Sequence, residues 1–166
     1  MAQITFKGNP VNTSGDLPKV GSKAPDFKLT AGDLSEKSLT DYAGKNVVLN
    51  IFPSVDTGVC AQSVRTFNEK ISSADNTVVL CISKDLPFAL SRFCAAEGLN
   101  NVETLSDFKT DDFNKSYGIK MIDGPLNGLF SRAVVVINPE GEVIYNEQIP
   151  EIGQEPDYEN ALNVLG

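Results

Sequence analysis

The stretch that decides the predicted fold is VVLNIFPSVDTGVC, residues 47–60. Its first six residues are largely apolar and rich in β-branched side chains, which is typical of a short strand buried on both faces. From Cys60 onwards, Val64, Phe67 and Ile71 follow at offsets of four, seven and eleven, the spacing of one face of a helix. The stretch therefore predicts a strand that runs directly into a helix, with Cys60 in the first helical turn and facing the core.

Further strands are predicted along the rest of the chain. Apolar runs at 78–82 and 133–137 indicate two more buried strands, and a weaker run at 102–105 indicates another. The run at 133–137 is followed by the turn residues Asn138-Pro139-Glu140-Gly141 and then by a strand-like segment at 142–147. Because Pro and Gly suit a tight turn, these last two segments predict an antiparallel hairpin.

Three further helices are predicted. Between 86 and 97, apolar residues and Cys94 recur at helical spacing, and Gly98 suits the end of that helix. Cys94 is therefore also expected to face the core. Shorter helices are predicted near 111–117 and 157–165.

The order of these elements predicts the fold class. Strand, helix, strand, helix, strand, hairpin and helix match an α/β thioredoxin-like three-layer sandwich. Turn signals such as Gly8-Asn9-Pro10 predict an N-terminal β-hairpin extension over residues 1–30. Without an internal repeat or a low-complexity linker, residues 1–166 are expected to form a single domain.

Charge and hydropathy exclude several classes of partner. The chain has 166 residues and a formal net charge of -8, with its acids spread along its length. Such a surface repels phosphate backbones and anionic membranes, so we expect no nucleic acid partner. The apolar runs are far shorter than the roughly 20 residues of a membrane-spanning helix, and no membrane association is expected.

The cysteine and histidine counts bound the chemistry. Three cysteines, an odd and small number, predict free thiols in a reducing compartment. No secretory signal is evident at Met1–Lys7, and a cytoplasmic location is therefore expected. The chain contains no histidine, which removes the usual base of a cysteine hydrolase and the commonest zinc ligand. We expect neither a metal nor another cofactor.

Cys60 is the candidate reactive thiol. A thiol with a pKa of about 8.5 is only about 3% ionised at pH 7, so its thiolate needs stabilisation. The helix start supplies unpaired N–H groups, and Arg132, directly before the 133–137 strand, is the candidate cation. If that strand runs antiparallel to 47–52, Arg132 approaches Cys60 across 72 positions of sequence. Thr57 can offer its hydroxyl to a substrate oxygen, and Pro53 can shield the sulfur from water.

Each of these residues also has a purely structural reading. Cys60 and Cys94 can be small buried core residues, Thr57 a helix N-cap, and Arg132 a surface ion-pair partner. Cys81 lies within a strand too apolar to favour a thiolate, and we assign it packing alone.

A resemblance to a known family favours the functional reading. The segment from Pro53 to Cys60 closely resembles the active-site pattern of the peroxiredoxins: Pro, later Thr, two residues, the reactive Cys, and a distant Arg. The resemblance extends essentially end to end and is to the thiol peroxidase (Tpx) branch, through the segments Gly8-Asn9-Pro10-Val11, Ala24-Pro25-Asp26-Phe27 and Gly128-Leu129-Phe130-Ser131-Arg132.

The resemblance implies a set of roles. Cys60 is the peroxidatic cysteine that attacks a hydroperoxide, Cys94 is the resolving cysteine that forms a disulfide with it, and Pro53, Thr57 and Arg132 complete the site. It further implies thioredoxin as the reductant, a homodimer, and a preference for alkyl hydroperoxides over hydrogen peroxide.

Two rival functions remain open at this stage. A dithiol–disulfide oxidoreductase on the same fold normally carries Cys-x-x-Cys at the first helix, whereas Cys60 is followed by Ala61-Gln62-Ser63. A non-catalytic binding module would leave Cys60 with ordinary reactivity.

Overall fold

A seven-stranded mixed sheet forms the centre of the protein, with strand order β4-β3-β7-β6-β5-β8-β9, and β1 and β2 form a separate two-stranded sheet. The computed structural model describes residues 2–71 and 74–165, so the first and last residues of the predicted 1–166 domain lie outside the description. The strands are β1 (Gln3–Phe6), β2 (Asn9–Asn12), β3 (Lys28–Ala31), β4 (Glu36–Ser38), β5 (Asn46–Ile51), β6 (Thr77–Ser83), β7 (Glu103–Ser106), β8 (Ala133–Ile137) and β9 (Val143–Gln148). The helices are α1 (Gly58–Ile71), α2 (Pro87–Glu97), α3 (Asp112–Tyr117) and α4 (Tyr158–Asn163), with a short 3₁₀ helix at Leu39–Tyr42.

The three central strands are those that the apolar runs predict. β5 pairs in parallel with β6 on one side and antiparallel with β8 on the other. In the second pairing Ile51 lies opposite Ala133, so the end of β5 meets the beginning of β8. This register brings the residue before β8 to the same sheet edge as the loop that enters α1.

Two hydrophobic cores cover the two faces of the sheet, because alternate residues of the central strands point to opposite sides. On one face, Phe67 of α1, Leu90 of α2 and Ala161 of α4 pack against the sheet. On the other, Phe113 and Tyr117 of α3 pack with residues that precede β5. The arrangement is the predicted three-layer α/β sandwich.

The second helix, α2, ends where its sequence predicts, but fewer of its residues are buried than the sequence predicts. Gly98 adopts a left-handed conformation, with φ of 67°, and caps α2. Leu90 is fully buried, while Leu86 lies just before the helix and is half exposed. Cys94 is only partly buried.

The N-terminal hairpin is present but shorter than the predicted 1–30 extension. It comprises β1 and β2, which pair antiparallel from Gln3–Asn12 to Phe6–Asn9. Lys28–Ala31 already belongs to the main sheet as β3, which pairs with both β4 and β7. None of the helices in the described part of the chain has the length and apolarity needed to cross a membrane.

Candidate active site

Cys60 lies in the first turn of α1 and is completely buried. The periodic apolar residues that predict the helix explain this position, since Val64 and Phe67 on the same face pack into the core with it. The helix start directs backbone N–H groups and the positive end of the helix dipole towards this turn, which favours a negatively charged sulfur.

Arg132 is buried beside Cys60, as the antiparallel pairing of β5 and β8 predicts. Its Nη2 donates a hydrogen bond to Cys60 Sγ at 3.2 Å, and its Nε donates to the carbonyl oxygen of Ile152 at 2.9 Å. Only 2% of Arg132 is exposed, so little water screens its charge from the sulfur. The guanidinium thus places a fixed positive charge next to the Cys60 sulfur.

A cavity of about 280 Å³ opens next to this pair. Its lining joins Pro53, Thr57 and Arg132 with the N-terminal hairpin and two later loops; it comprises Phe6, Lys7, Pro53, Thr57, Gly58, Val59, Leu126, Leu129, Arg132, Glu151, Ile152 and Gly153. Arg132 Nη1 is buried and has no hydrogen-bond partner among the described residues. One donor of the guanidinium therefore holds the sulfur, and a second remains available for a ligand.

Thr57 and Pro53 flank the cavity from the loop between β5 and α1. Thr57 is exposed, and its hydroxyl donates to the carbonyl oxygen of Ser54 at 2.9 Å. Its own carbonyl accepts from Ala61 at 3.0 Å, which makes Thr57 the residue from which α1 begins. Pro53 is buried and lines the same cavity.

Cys94 lies apart from this group. All three cysteines are free thiols, and Cys94 is half buried in the middle of α2, where Thr104 of β7 neighbours it. Burial raises the pKa of the Cys94 thiol above its ordinary value, and the Thr104 hydroxyl partly offsets this effect. In this conformation Cys94 is therefore a protonated thiol that is partly shielded from water.

Cys81 is a core residue, as its apolar strand predicts. It is fully buried in β6, and burial raises the pKa of its thiol to about 12. Asn50 Nδ2 donates to its sulfur at 3.6 Å and to Ser63 Oγ at 3.2 Å. Ser63 in turn donates to the carbonyl oxygen of Cys60 at 2.7 Å, so a buried polar chain ties the first turn of α1 to the sheet.

Sequence reasoning missed Asp85, which organises the loop before α1. Its Oδ1 accepts from Ser54 Oγ at 2.7 Å, and its Oδ2 accepts from the backbone N–H of Val55 at 2.9 Å and from Ser83 Oγ at 2.6 Å. The cavity wall formed by Phe6 was missed as well. Neither feature leaves a local signal, because both join segments that are distant in sequence.

Among the described residues, no group of three or more His, Cys, Asp or Glu side chains is arranged to hold a metal ion. The arrangement places a buried cysteine sulfur beside a buried guanidinium, next to a small cavity that Arg132 helps to line.

Comparison with known proteins decides the family. The Redoxin family model matches residues 19–162. The thiol peroxidase of Mycobacterium tuberculosis is 58% identical over 166 residues, which cover 100% of this chain and 99% of that protein. The chain belongs to the thiol peroxidases. A thiol peroxidase of Mycobacterium bovis matches to the same extent.

Solved structures confirm the thioredoxin-like fold of the family. A peroxiredoxin-like protein from Aquifex aeolicus superposes with a TM-score of 0.93 at 37% identity, covering 99% of this chain and 96% of that one. A thiol peroxidase from Chromobacterium violaceum has a TM-score of 0.91 over 98% and 94% of the two chains. At 23% identity this second likeness concerns the fold alone. The predicted resemblance to the thiol peroxidases is confirmed, and the chain is a peroxiredoxin enzyme.

Proposed function

We propose that this thiol peroxidase reduces hydroperoxides, with alkyl hydroperoxides preferred, through a Cys60 sulfenic acid and a Cys60–Cys94 disulfide that thioredoxin reduces. The observation that carries the proposal is the hydrogen bond from buried Arg132 to the Cys60 sulfur, at 3.2 Å, beside a cavity.

In the first step the Cys60 thiolate attacks the outer oxygen of the hydroperoxide. A sulfur–oxygen bond forms and the oxygen–oxygen bond breaks, which leaves a sulfenic acid and an alkoxide that takes up a proton as it leaves. Negative charge develops on the substrate oxygens as the bond breaks. Arg132 Nη1, which has no hydrogen-bond partner among the described residues, is the donor that stabilises this charge. Thr57 at the cavity wall can donate to the same oxygens once its hydroxyl turns from Ser54.

In the second step Cys94 condenses with the sulfenic acid and water is released. Disulfide geometry requires the two α-carbons to lie within about 7 Å of each other. Cys60 contacts Arg132 while Cys94 lies beside Thr104, and in the proposed step both helix segments unwind locally to bring the two sulfurs together. Unwinding also exposes Cys94 to water, which removes the burial that keeps it protonated.

An apolar cavity wall supports the preference for alkyl hydroperoxides. The cavity is lined by Phe6 of the hairpin and by Leu126, Leu129 and Ile152, together with Pro53 and Thr57. An alkyl group can be buried there with a gain of roughly 25 cal/mol for each Å² of apolar surface, whereas hydrogen peroxide has no such group.

Thioredoxin as the reductant, a homodimer and a cytoplasmic location are proposals that rest on the family resemblance and the charge pattern. Reduction of the oxidised protein by thioredoxin, but not by glutathione alone, would support the first. Sedimentation equilibrium over a range of protein concentrations tests the second.

The proposed reaction is tested by mixing the reduced protein with one equivalent of an organic hydroperoxide, followed by rapid quenching and peptide mapping. We expect loss of two thiols per chain and a peptide that links Cys60 to Cys94. If both thiols survive millisecond mixing, the proposed mechanism is wrong.

The alkyl preference is tested with Phe6→Ser. Loss of about 1.4 kcal/mol of apolar contact should slow oxidation of Cys60 by a bulky hydroperoxide about tenfold. The rate of oxidation by hydrogen peroxide should stay within about threefold of that of the unmodified protein. Phe108→Ser is the matched control, since Phe108 is exposed and lies outside the cavity lining. Equal losses for both peroxides would contradict the proposed substrate class.

A further inference from the structure

Asp85 holds together three chain segments that meet at one edge of the sheet. It lies between β6 and α2, two residues before the helix that carries Cys94. Its carboxylate accepts from Ser54 Oγ, from the backbone N–H of Val55 and from Ser83 Oγ. Its backbone carbonyl also accepts from the hydroxyl of Ser106, at the end of β7.

We propose that Asp85 is a positioning residue that fixes the Pro53–Thr57 loop for reaction with the peroxide; this inference rests on the proposed function. Hydrogen bonds to an ionised carboxylate are worth about 1.5–3 kcal/mol each, roughly twice those between neutral groups. Two of the three side-chain contacts go directly to Ser54 and Val55, the centre of that loop.

The geometry of the loop depends on these contacts. Thr57 donates to the carbonyl oxygen of Ser54, the same residue whose hydroxyl Asp85 holds. Pro53, next to Ser54, lines the cavity with Thr57. A displacement of Ser54 therefore moves both residues relative to the sulfur, and a misplacement of about 1 Å can cost a reaction about a hundredfold.

Asp85 also lies close to the first residues of α1 and α2, the two helices that unwind in the proposed disulfide step. The proposed disulfide step unwinds segments of α1 and α2, while Asp85 is fastened to Ser83 and Ser106 at the ends of two strands of the sheet. The loop before α1 thus keeps a fixed anchor on the sheet during unwinding. We expect it to return to the same position when the disulfide is reduced.

The test uses Asp85→Asn in the full chain. The amide has one acceptor oxygen in place of two and cannot satisfy all three donors. We expect the rate of Cys60 oxidation by hydroperoxide to fall by about 10- to 100-fold. Alkylation of Cys60 by iodoacetamide should stay within about threefold of the unmodified protein, because that reaction needs the thiolate and not the ordered loop.

Asp56→Asn is the matched control. Asp56 lies in the same loop, but its carboxylate is exposed and pairs only weakly with Arg92, at 3.5 Å. An exposed ion pair contributes little, so this variant should react with peroxide at close to the unmodified rate.

Two results overturn the inference. The first is a rate of peroxide oxidation in Asp85→Asn that lies within about threefold of the rate in Asp56→Asn. The second is an equal loss in the rates of peroxide oxidation and of alkylation in Asp85→Asn. If Asp85→Asn does not fold, Ser54→Ala is the second variant, because it removes the Oδ1 contact and, with it, only the hydrogen bond that the Asp56 N–H donates to Ser54 Oγ at 3.1 Å. Unaltered peroxide oxidation in Ser54→Ala then overturns the inference. Failure of the proposed function has a different signature, since the unmodified protein itself would not react with peroxide.

Discussion

Replacement of Arg132 by glutamine tests the origin of the reactivity of Cys60. The substitution removes the positive charge and the Nη2 donor that lies 3.2 Å from the sulfur. The glutamine amide can still donate a neutral hydrogen bond in the same region. The variant therefore tests what the charged guanidinium contributes at the sulfur and at the substrate oxygens together, and the thiolate absorbance reports on the sulfur separately.

The distance sets the size of the effect. Two unit charges 3.2 Å apart interact by about 5 kcal/mol at an effective dielectric constant of about 20, which is an upper limit because the burial of both charges opposes it. Hydrogen bonds to charged groups contribute about 1.5–3 kcal/mol net. Since each 1.36 kcal/mol corresponds to a tenfold change in rate, we expect the rate of Cys60 oxidation to fall by about 10- to 150-fold.

The assay is rapid-quench oxidation with thiol mapping, run beside the ultraviolet absorbance of the thiolate. Arg92→Gln is the control, since Arg92 is exposed and pairs with Asp56 at 3.5 Å. It should react within about twofold of the unmodified protein. If Arg132→Gln matches Arg92→Gln in both rate and thiolate absorbance, the cation is not what ionises the sulfur, and the reasoning is refuted.

The remaining predictions concern turnover, unwinding and pH. Cys94→Ser should still undergo one oxidation of Cys60 but lose turnover with thioredoxin, and full turnover of this variant would rule out the resolving role of Cys94. Cys81→Ala should keep turnover, and its melting temperature should fall by about 2–4 °C for each kcal/mol of lost packing. Amide exchange near Cys60 and Cys94 should be faster in the oxidised protein, and equal protection in both forms argues against local unwinding. Burial raises the pKa of Asp107 to about 6 from an ordinary 3.8, so the folded state binds its proton more tightly and stability falls as the pH rises between these values. Relative to Asp107→Asn, the free energy of unfolding should drop by about 1–2 kcal/mol over that range in denaturant titrations, and parallel curves for the two proteins contradict this.

The central strands and the principal helices could be predicted because they carry strong periodic signals. The runs at 47–52, 78–82 and 133–137 lie within one residue of β5, β6 and β8 at each end. β-Branched residues in a doubly buried strand leave little ambiguity. The hairpin of β3 and β4 was missed because the two strands are only four and three residues long, and EKS contains no apolar residue. β4 lies at the edge of the sheet and is partly exposed, whereas β3 pairs with both β4 and β7.

The candidate site was predictable where topology alone determines proximity. Antiparallel pairing of β5 and β8 suffices to bring Arg132 towards Cys60. The contacts of Asp85 and the cavity wall at Phe6 depend on side-chain rotamers and on how the N-terminal hairpin docks. Such contacts leave no periodic pattern in one sequence, so they required the structure.

The pairing between Ile51 and Ala133 also makes the site asymmetric in its mobility. Arg132 directly precedes β8, which is hydrogen-bonded to β5 on one side and to β9 on the other, and strands paired on both sides open late, whereas Cys60 belongs to the first turn of a helix, which frays more readily. In the proposed disulfide step, opening therefore withdraws the oxidised Cys60 sulfur and leaves the guanidinium where it was. We expect the guanidinium to lose its sulfur partner during that step, so that small anions of the buffer bind it and compete with re-closure.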